Sequence, residues 1–210
     1  MSRDTALSEE DCDNNPFVQF HQWFDDTKDD TPESEAVVLV TSTLDGRPSA
    51  RMVLLRRVDD RSFGWYTNYE SRKGHELAVN PHGALLWYNA ARGRQIRIEG
   101  AVSTMGEAES DAYFVSRARG HQLSAHASAQ SQPLASRKEL EDRVRDLEVQ
   151  FAGQAVPRPP HWGGYRLAPT AFEFWQHRED RLHDRVRYAR PEGWTGEGAH
   201  DEWQRQRLAP

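Results

Sequence analysis

This chain of 210 residues contains one cysteine, Cys12, and only three lysines. A single cysteine excludes an internal disulfide framework and any metal site built from several thiolates. No apolar run approaches the roughly 20 residues of a membrane-spanning helix, and the acidic start does not resemble an export signal. Neither G-x-G-x-x-G nor a Walker A sequence occurs, so the common glycine-loop nucleotide folds are not indicated. We therefore expect a cytoplasmic protein with no membrane association.

Negative charge is concentrated at the start of the chain. Residues 1–35 carry eleven acidic and two basic side chains, whereas residues 36–210 carry 22 acidic and 25 basic ones. Blocks of one charge sign are often solvated, so we interpret 1–35 as a mobile or solubilising acidic arm ahead of a single domain at 36–210. The slight basic excess of that domain fits a small anionic ligand. It argues against nucleic-acid binding, which is typified by a strongly basic face.

Hydrophobic spacing predicts a short amphipathic helix in the arm and a mainly β domain after it. Phe17, Phe20, Trp23 and Phe24 have helical spacing. Alternation predicts about eight strands, at 36–44, 49–58, 62–68, 83–89, 93–102, 165–176, 182–190 and 202–208. Helices are predicted at 71–79, at 107–114 and from 136 to about 153, a loop at 116–134, a rigid connector at 156–164 and a glycine-rich insertion at 191–200. Strands in hairpin order favour an antiparallel barrel with inserted helices over a parallel sheet.

Two adjacent cations, Arg72 and Lys73, lie at the predicted start of a helix. The N-terminus of a helix already favours negative charge, so added cations there suit a bound anion such as a phosphate. For an isolated Ser-Arg-Lys sequence, a solvated turn is the commoner explanation. Because lysine is scarce in this chain, Lys73 is less easily explained as an ordinary surface residue.

A second cationic group lies near the end of the chain. Arg181, His183 and Arg185 alternate, so all three side chains can project from one face of a strand. A substrate or anion would account for such a concentration of cationic and titratable groups. An exposed strand face accounts for it equally well.

Nine motifs, in order, resemble the pyridoxamine 5'-phosphate oxidase family. They are ARMVLLR, WYTNYESRKG, RQIRIEG, SDAYFVSR, the pair Gln130-Ser131, PRPPHWGGYR, FEFWQ, RLHDR and the terminal RLAP. The resemblance covers about residues 36–210. It implies an antiparallel FMN-binding split β-barrel that works as a homodimer, with the flavin at the subunit interface and O2 as the electron acceptor.

The resemblance also implies which residues contact each ligand. The FMN contacts would be Arg51, Met52, Val53, Leu54, Leu55, Arg56, Tyr66, Thr67, Arg72, Lys73 and Gln95. The other subunit would supply Gln130, Ser131, Trp175 and Arg185. The phosphate of a small pyridine substrate would be held by Arg56, Tyr113, Arg117 and His121, and the catalytic pair Arg181 and His183 would lie over the pyridine ring. No metal is implied.

The reaction implied is the oxidation of pyridoxine or pyridoxamine 5'-phosphate to pyridoxal 5'-phosphate, with hydrogen peroxide released and, from the amine, ammonia. Two alternatives remain open: an oxidase of the same fold acting on another substrate, as in phenazine biosynthesis, and a non-catalytic protein that binds FMN or pyridoxal phosphate. The chain departs from the family pattern at Arg56, where lysine is usual, and at His121, where serine is usual. It also reads Ser124-Ala125-His126 where Gly-Ala-Trp is common.

Overall fold

A computed structural model describes residues 5–27, 34–191 and 202–210 of the chain. The glycine-rich insertion predicted at 191–200 falls almost entirely outside them. The helices are α1 (Pro16–Asp25), α2 (Arg72–Val79), α3 (Glu107–Ser116), α4 (Arg119–Ala127) and α5 (Arg137–Gln150). The strands are β1 (Ala36–Ser42), β2 (Pro48–Leu54), β3 (Arg57–Val58), β4 (Phe63–Asn68), β5 (His82–Asn89), β6 (Arg94–Thr104), β7 (Trp162–Gln176), β8 (Asp184–Ala189) and β9 (Gln204–Arg207). Among the described residues, no helix combines the length and apolar character needed to cross a membrane.

The strands form one antiparallel sheet in the order β2-β1-β5-β6-β7-β4-β3, and β8 and β9 continue from β7. The 15-residue strand β7 pairs with β6 along one edge, and with β4 and then β8 along the other edge. One strand thus belongs to two parts of the sheet, which therefore curls. A bulge at Glu99/Gly100 bends β6 beside Pro169, and a Cβ on Gly100 would lie 2.0 Å from the Ala168 carbonyl oxygen. The predicted antiparallel split barrel is confirmed.

Helix α1 covers one face of the sheet and is part of the core. Its predicted apolar stripe is buried, comprising Phe17, Phe20, Trp23 and Phe24. Each such side chain contributes about 1.5–3 kcal/mol when it leaves water. The helix begins after Asn15, whose side chain accepts the Phe17 N–H. The helix prediction is confirmed. The interpretation of the arm as a solvated flank is wrong for residues 5–27.

The end of the chain holds the segment that precedes α1. On β9, Arg205 donates to the Cys12 carbonyl oxygen at 2.7 Å, and Arg207 donates to the Leu7 carbonyl oxygen at 3.0 Å. Arg207 also pairs with Glu9. These contacts join residues almost 200 positions apart, which local patterns do not predict.

The loop prediction for 116–134 is wrong in its centre, where α4 forms. This helix packs with α3 and α5 over a second small core that contains Phe114, Leu123 and Trp162. Its small and polar side chains hide the apolar spacing in the sequence. The strand predicted at 49–58 is interrupted after Leu54, and β7 begins inside the predicted connector, at Trp162. The helix predicted after Ser136 is confirmed, with the Ser136 side chain capping it.

Candidate active site

A cavity of about 770 Å³ lies between β2, β4, the start of α2 and the α3–α4 region. This volume is in the range that holds small ligands and cofactors. We call it the cationic cavity. Fourteen of the predicted site residues line it: Arg51, Met52, Val53, Leu54, Arg56, Tyr66, Thr67, Arg72, Lys73, Tyr113, Arg117, His121, Gln130 and Ser131. Residues from four separate stretches of sequence therefore meet in one place.

Lys73 lies on the first turn of α2 and is only 8% exposed. Ser71 caps this helix by accepting the Gly74 N–H. Lys73 Nζ donates to Thr67 Oγ1 at 3.0 Å, to Ser71 Oγ at 3.0 Å and to Gln130 Oε1 at 2.6 Å. All three acceptors are neutral. Burial, and secondarily the nearby Arg51 charge, lowers the pKa of Lys73 to about 8. Such a buried cation is stabilised when an anion binds beside it.

Glu76 contacts two arginines, Arg51 and Arg72, at the end of the cavity that contains Lys73. Its carboxylate accepts from Arg72 Nε at 2.9 Å and lies 3.4 Å from Arg51 NH2. Hydroxyl and arginine hydrogen bonds outweigh its burial and hold the pKa of Glu76 at about 2. It is therefore ionised at neutral pH. Sequence reasoning missed Glu76, because a glutamate in a short helix carries no signal of its own.

Arg117 lies in the second cationic part of the cavity. Its NH1 is buried without a hydrogen-bond partner among the described residues, and burial lowers the pKa of its guanidinium. The guanidinium carbon lies 4.6 Å from the centre of a Trp162 ring. Trp162 also lines the cavity. Its motif, PRPPHWGGYR, was recognised, but the residue was not predicted to have a role.

Two aromatic side chains connect these parts of the cavity. The rings of Tyr66 and Tyr113 stack with centroids 3.8 Å apart, and each ring is nearly parallel to that of Trp162. Burial is the main cause that raises the pKa of Tyr66. The phenol therefore remains protonated and can donate a hydrogen bond.

The residues at which the chain departs from the family pattern have defined surroundings. Arg56 forms an ion pair with Glu35 at 2.5 Å. His121 is exposed in the first turn of α4. His126 Nε2 donates to the Pro157 carbonyl oxygen at 2.7 Å, so His126 joins two segments of the small core. The part of the chain that the structure describes contains no group of three metal-ligating side chains.

Leu55 differs from its neighbours in the ARMVLLR motif. It is 3% exposed within the main core and does not line the cavity. Its side chain therefore does not face the space in which an FMN contact was predicted. The chain leaves β2 at this point.

Gln130 and Ser131 lie in the loop after α4 and reach the cavity of their own chain. The Gln130 contact with Lys73 is within one chain, whereas the resemblance implied that the other subunit supplies this pair. Ser131 has a φ of 73°. A serine in the left-handed region is uncommon, and such backbone strain is concentrated at functional sites.

Besides Leu55, five predicted residues lie outside the cationic cavity, and we call them the strand group. They are Gln95, Trp175, Arg181, His183 and Arg185. Trp175 pairs with Gln95 on one side and with Arg185 on the other. The His183 ring lies 4.6 Å from the Trp175 ring. Within one chain, the structure thus divides the predicted site into two groups.

Arg181, His183 and Arg185 do not project from one strand face, and that prediction is wrong. The backbone is left-handed at Asp180 (φ 53°) and Arg181 (φ 62°), and these two residues interrupt extended structure. Arg181 ends a single 3₁₀ turn, and β8 begins only at Asp184. Arg185 is on the strand, where it pairs with buried Glu173 at 3.0 Å.

His183 has a defined tautomer. Its Nδ1 accepts the Arg178 backbone N–H at 3.1 Å, so the proton of the neutral ring lies on Nε2. Burial, followed by the neighbouring His177 and Arg181, lowers the pKa of His183. The ring is therefore a neutral imidazole at pH 7 and can donate from Nε2.

The donors in the cationic cavity fit a phosphate monoester. Lys73 is a buried cation with neutral partners, and Arg117 has an unused buried N–H. The terminal nitrogens of Arg72 also make no hydrogen bond among the described residues, because only its Nε is engaged. Charge-assisted bonds from such donors are among the strongest polar contacts.

Comparison with known proteins gives two family matches that together cover most of the chain. The family "Pyridoxamine 5'-phosphate oxidase" matches residues 25–151, and "Pyridoxine 5'-phosphate oxidase C-terminal dimerisation region" matches residues 162–210. A protein of Rubrobacter xylanophilus named pyridoxine/pyridoxamine 5'-phosphate oxidase is 51% identical over 206 residues, which are 98% of this chain and 91% of that protein.

Two solved structures are similar to the chain. PhzG from Burkholderia lata, in complex with tetrahydrophenazine-1-carboxylic acid, has a TM-score of 0.88 and 32% identity, with 100% of both chains covered. A pyridoxamine 5'-phosphate oxidase-related, FMN-binding protein from Nostoc punctiforme has a TM-score of 0.67 and 15% identity, with 98% and 99% covered. The second likeness shows the fold alone.

Proposed function

Because the chain belongs to the pyridoxamine 5'-phosphate oxidase family, we propose that it is an FMN-dependent oxidase that produces pyridoxal 5'-phosphate. Its substrates are pyridoxine 5'-phosphate and pyridoxamine 5'-phosphate. The observation that carries this proposal is the pair of cationic regions in one cavity, around Lys73 and around Arg117. Two phosphate esters, one on the cofactor and one on the substrate, would account for both regions.

Arg72 and Lys73 would hold the FMN phosphate, and Arg51 would add a fixed positive charge beside it. Thr67 and Gln130 would surround it with neutral hydrogen-bonding groups. When bound, FMN supplies the redox chemistry, taking two electrons from the substrate and passing them to O2. The chain's residues fix the orientation of both ligands and exclude water, which lowers the barrier by positioning.

Arg117 would bind the substrate phosphate through its unused NH1, and the Trp162 face would hold the guanidinium in place. Tyr113 and His121 line the same region and would add hydrogen bonds. Arg56 would contribute by turning from Glu35, an exposed partner that contributes little to stability.

The strand group would complete the site from the partner subunit of a homodimer. Four of its five members lie within the matched dimerisation region, 162–210. Arg181 and His183 would then lie over the pyridine ring, and His183 would donate from Nε2 to a substrate oxygen or nitrogen. Trp175 and Arg185 would contact the cofactor from the same side.

The proposed reaction balances without a further reactant. The alcohol substrate and O2 give the aldehyde and hydrogen peroxide. The amine, O2 and water give the aldehyde, ammonia and hydrogen peroxide. A test is aerobic turnover of each substrate with aldehyde and peroxide measured together; equal yields are expected, and unphosphorylated pyridoxine should react far more slowly. Failure of both phosphorylated substrates would contradict the proposal.

A second candidate is an oxidase of the same fold acting on a tetrahydrophenazine carboxylic acid, favoured by the full-length similarity to PhzG. The paired cationic regions support the phosphate ester instead, because a single carboxylate needs fewer cations. Turnover of tetrahydrophenazine-1-carboxylic acid in place of pyridoxine 5'-phosphate would reverse the choice.

A further inference from the structure

We propose that Glu76 is a positioning residue for the phosphate end of the site, where it holds Arg51 and Arg72 in the geometry that receives the FMN phosphate. This inference rests on the proposed FMN site and extends it to a residue that need not touch the cofactor.

The Glu76 carboxylate is buried and receives four donors. It is 4% exposed. Its Oε2 accepts from Thr41 Oγ1 and from Ser49 Oγ, each at 2.5 Å, and lies 3.4 Å from Arg51 NH2. Its Oε1 accepts from Arg72 Nε at 2.9 Å. A carboxylate with this many donors has one fixed orientation.

Arg51 is held by the same two hydroxyl groups. Its NH1 donates to Thr41 Oγ1 at 2.6 Å and to the Leu39 carbonyl oxygen at 3.2 Å. Its NH2 donates to Ser49 Oγ. Each hydroxyl therefore accepts from Arg51 and donates to Glu76. Both terminal nitrogens are committed to the protein, which leaves Arg51 a fixed positive charge beside the cavity.

Arg72 is fixed in a different way. Its only hydrogen bond among the described residues is the one from Nε to Glu76, and its side chain is 62% exposed. The two terminal nitrogens are therefore free to make a paired bond to phosphate oxygens. Without Glu76, an exposed arginine of this length would sample many rotamers, and binding would have to order it.

Glu76 also sets the charge of this region. The net charge of this region is about two positive units, summed over Arg51, Arg72, Lys73 and Glu76. It matches the charge of a phosphate monoester, which is about two negative units at neutral pH. Replacement of Glu76 by a neutral residue has two opposed effects. Added positive charge strengthens anion binding, whereas loss of the anchor disorders two arginines. We expect the second effect to dominate, because Glu76 is the one group among the described residues that contacts both arginines.

The test compares FMN with riboflavin, which lacks the phosphate, in binding titrations followed by flavin fluorescence. For each variant the dissociation constant of riboflavin is divided by that of FMN, because this ratio isolates the phosphate end. In Glu76→Gln the ratio should fall about tenfold, which is the effect expected when one oriented charge-assisted contact to the phosphate is lost. Glu141→Gln removes an exposed carboxylate paired with Arg137 and should leave the ratio unchanged.

The other outcomes overturn the inference in distinguishable ways. A higher ratio in Glu76→Gln would mean that Glu76 only reduces the positive charge. Equal weakening of both flavins would mean a general structural role. Wild-type protein that does not prefer FMN over riboflavin would overturn the proposed function, and this inference with it.

Ser49→Ala keeps the inference testable if Glu76→Gln does not fold. Ser49 is only partly buried and bridges Glu76 and Arg51. The ratio should fall about threefold, as for the loss of one ordinary hydrogen bond. An unchanged ratio in this variant would overturn the positioning role.

Discussion

Lys73 Nζ donates to Gln130 Oε1 at 2.6 Å, although 57 positions separate the two residues. This contact joins the first turn of α2 to the loop after α4. It places Lys73, the one buried lysine among the described residues, where its ammonium group can contact an anion. The hydrogen-bond partners of Lys73 are Thr67, Ser71 and Gln130, and all three are neutral.

Replacement of Lys73 by methionine should weaken FMN binding by about 10- to 100-fold, because a charge-assisted bond contributes about 1.5–3 kcal/mol. Methionine keeps the length and apolar stem of the side chain. Fluorescence titration gives the dissociation constant. Lys138→Met is the matched control, since Lys138 lies on exposed α5 and pairs with Asp142. Equal affinity in both variants would reject the phosphate assignment of Lys73.

FMN affinity should fall as the pH rises through about 8. The pKa of Lys73 is about 8 in the ligand-free cavity, below its ordinary 10.5. A bound phosphate stabilises the charged form and raises that pKa, so binding takes up a proton over this window. Affinity is then highest between about pH 6, where the phosphate becomes dianionic, and pH 8. Glu76, with a pKa of about 2, stays ionised throughout.

Titrations at several pH values check this dependence. Lys73→Met should bind weakly with no fall near pH 8. Wild-type affinity that stays constant from pH 7 to about 9.5 would contradict the proton linkage.

Arg181→Ala should retain FMN and lose about 100-fold or more of its turnover, since Arg181 is assigned to the substrate and not to the cofactor. Arg145→Ala, at an exposed arginine of α5, should match the wild type. Turnover by Arg181→Ala at the wild-type rate would reject its catalytic assignment.

Mixed dimers test whether the strand group serves the partner's cavity. A dimer of Lys73→Met with Arg181→Ala would contain one site with both defects and one intact site. At an FMN concentration that fills the wild-type cavity but not the Lys73→Met cavity, both variants alone are nearly inactive, and their random mixing should restore about a quarter of the wild-type activity in a two-fold symmetric dimer. If each site belongs to a single chain, mixing should restore nothing.

Phe20→Ala should reduce the free energy of unfolding by about 3–5 kcal/mol, the usual cost of deleting a fully buried aromatic ring. Phe20 is 0% exposed, stacks on Phe24 and meets the Phe63 ring edge to face. Val18→Ala, on the exposed side of the same helix, should cost less than about 1 kcal/mol. Denaturant unfolding gives both values. A small loss in Phe20→Ala would show that the helix does not stabilise the domain.

Local patterns predicted most of the fold, because burial alternates along β1 and β6 and Ser136 is a clear helix cap. They failed for α4, whose small residues give little apolar spacing in the sequence and pack in the small core with Phe114, Trp162 and α5. They also failed for the 3₁₀ turn at Arg181. The residue types of Asp180 and Arg181 did not lead us to predict a left-handed backbone there.

The candidate site was predicted from the family resemblance more than from spacing. Fourteen of the residues that the resemblance named line one cavity, whereas Leu55 and the strand group lie outside it. The resemblance did not name Glu76 or Trp162, whose positions depend on contacts across the sheet. The contact of Gln130 with Lys73 of its own chain was not predicted either, because sequence alone does not specify how the loop after α4 returns to α2.

The central claim is oxidation of a phosphorylated pyridine substrate by bound FMN. Its most direct test is the visible spectrum of the FMN-loaded protein, recorded without oxygen before and after addition of pyridoxine 5'-phosphate. We predict that the flavin band bleaches and that it returns with admitted air. A flavin that stays oxidised with both pyridoxine and pyridoxamine 5'-phosphate would contradict the claim.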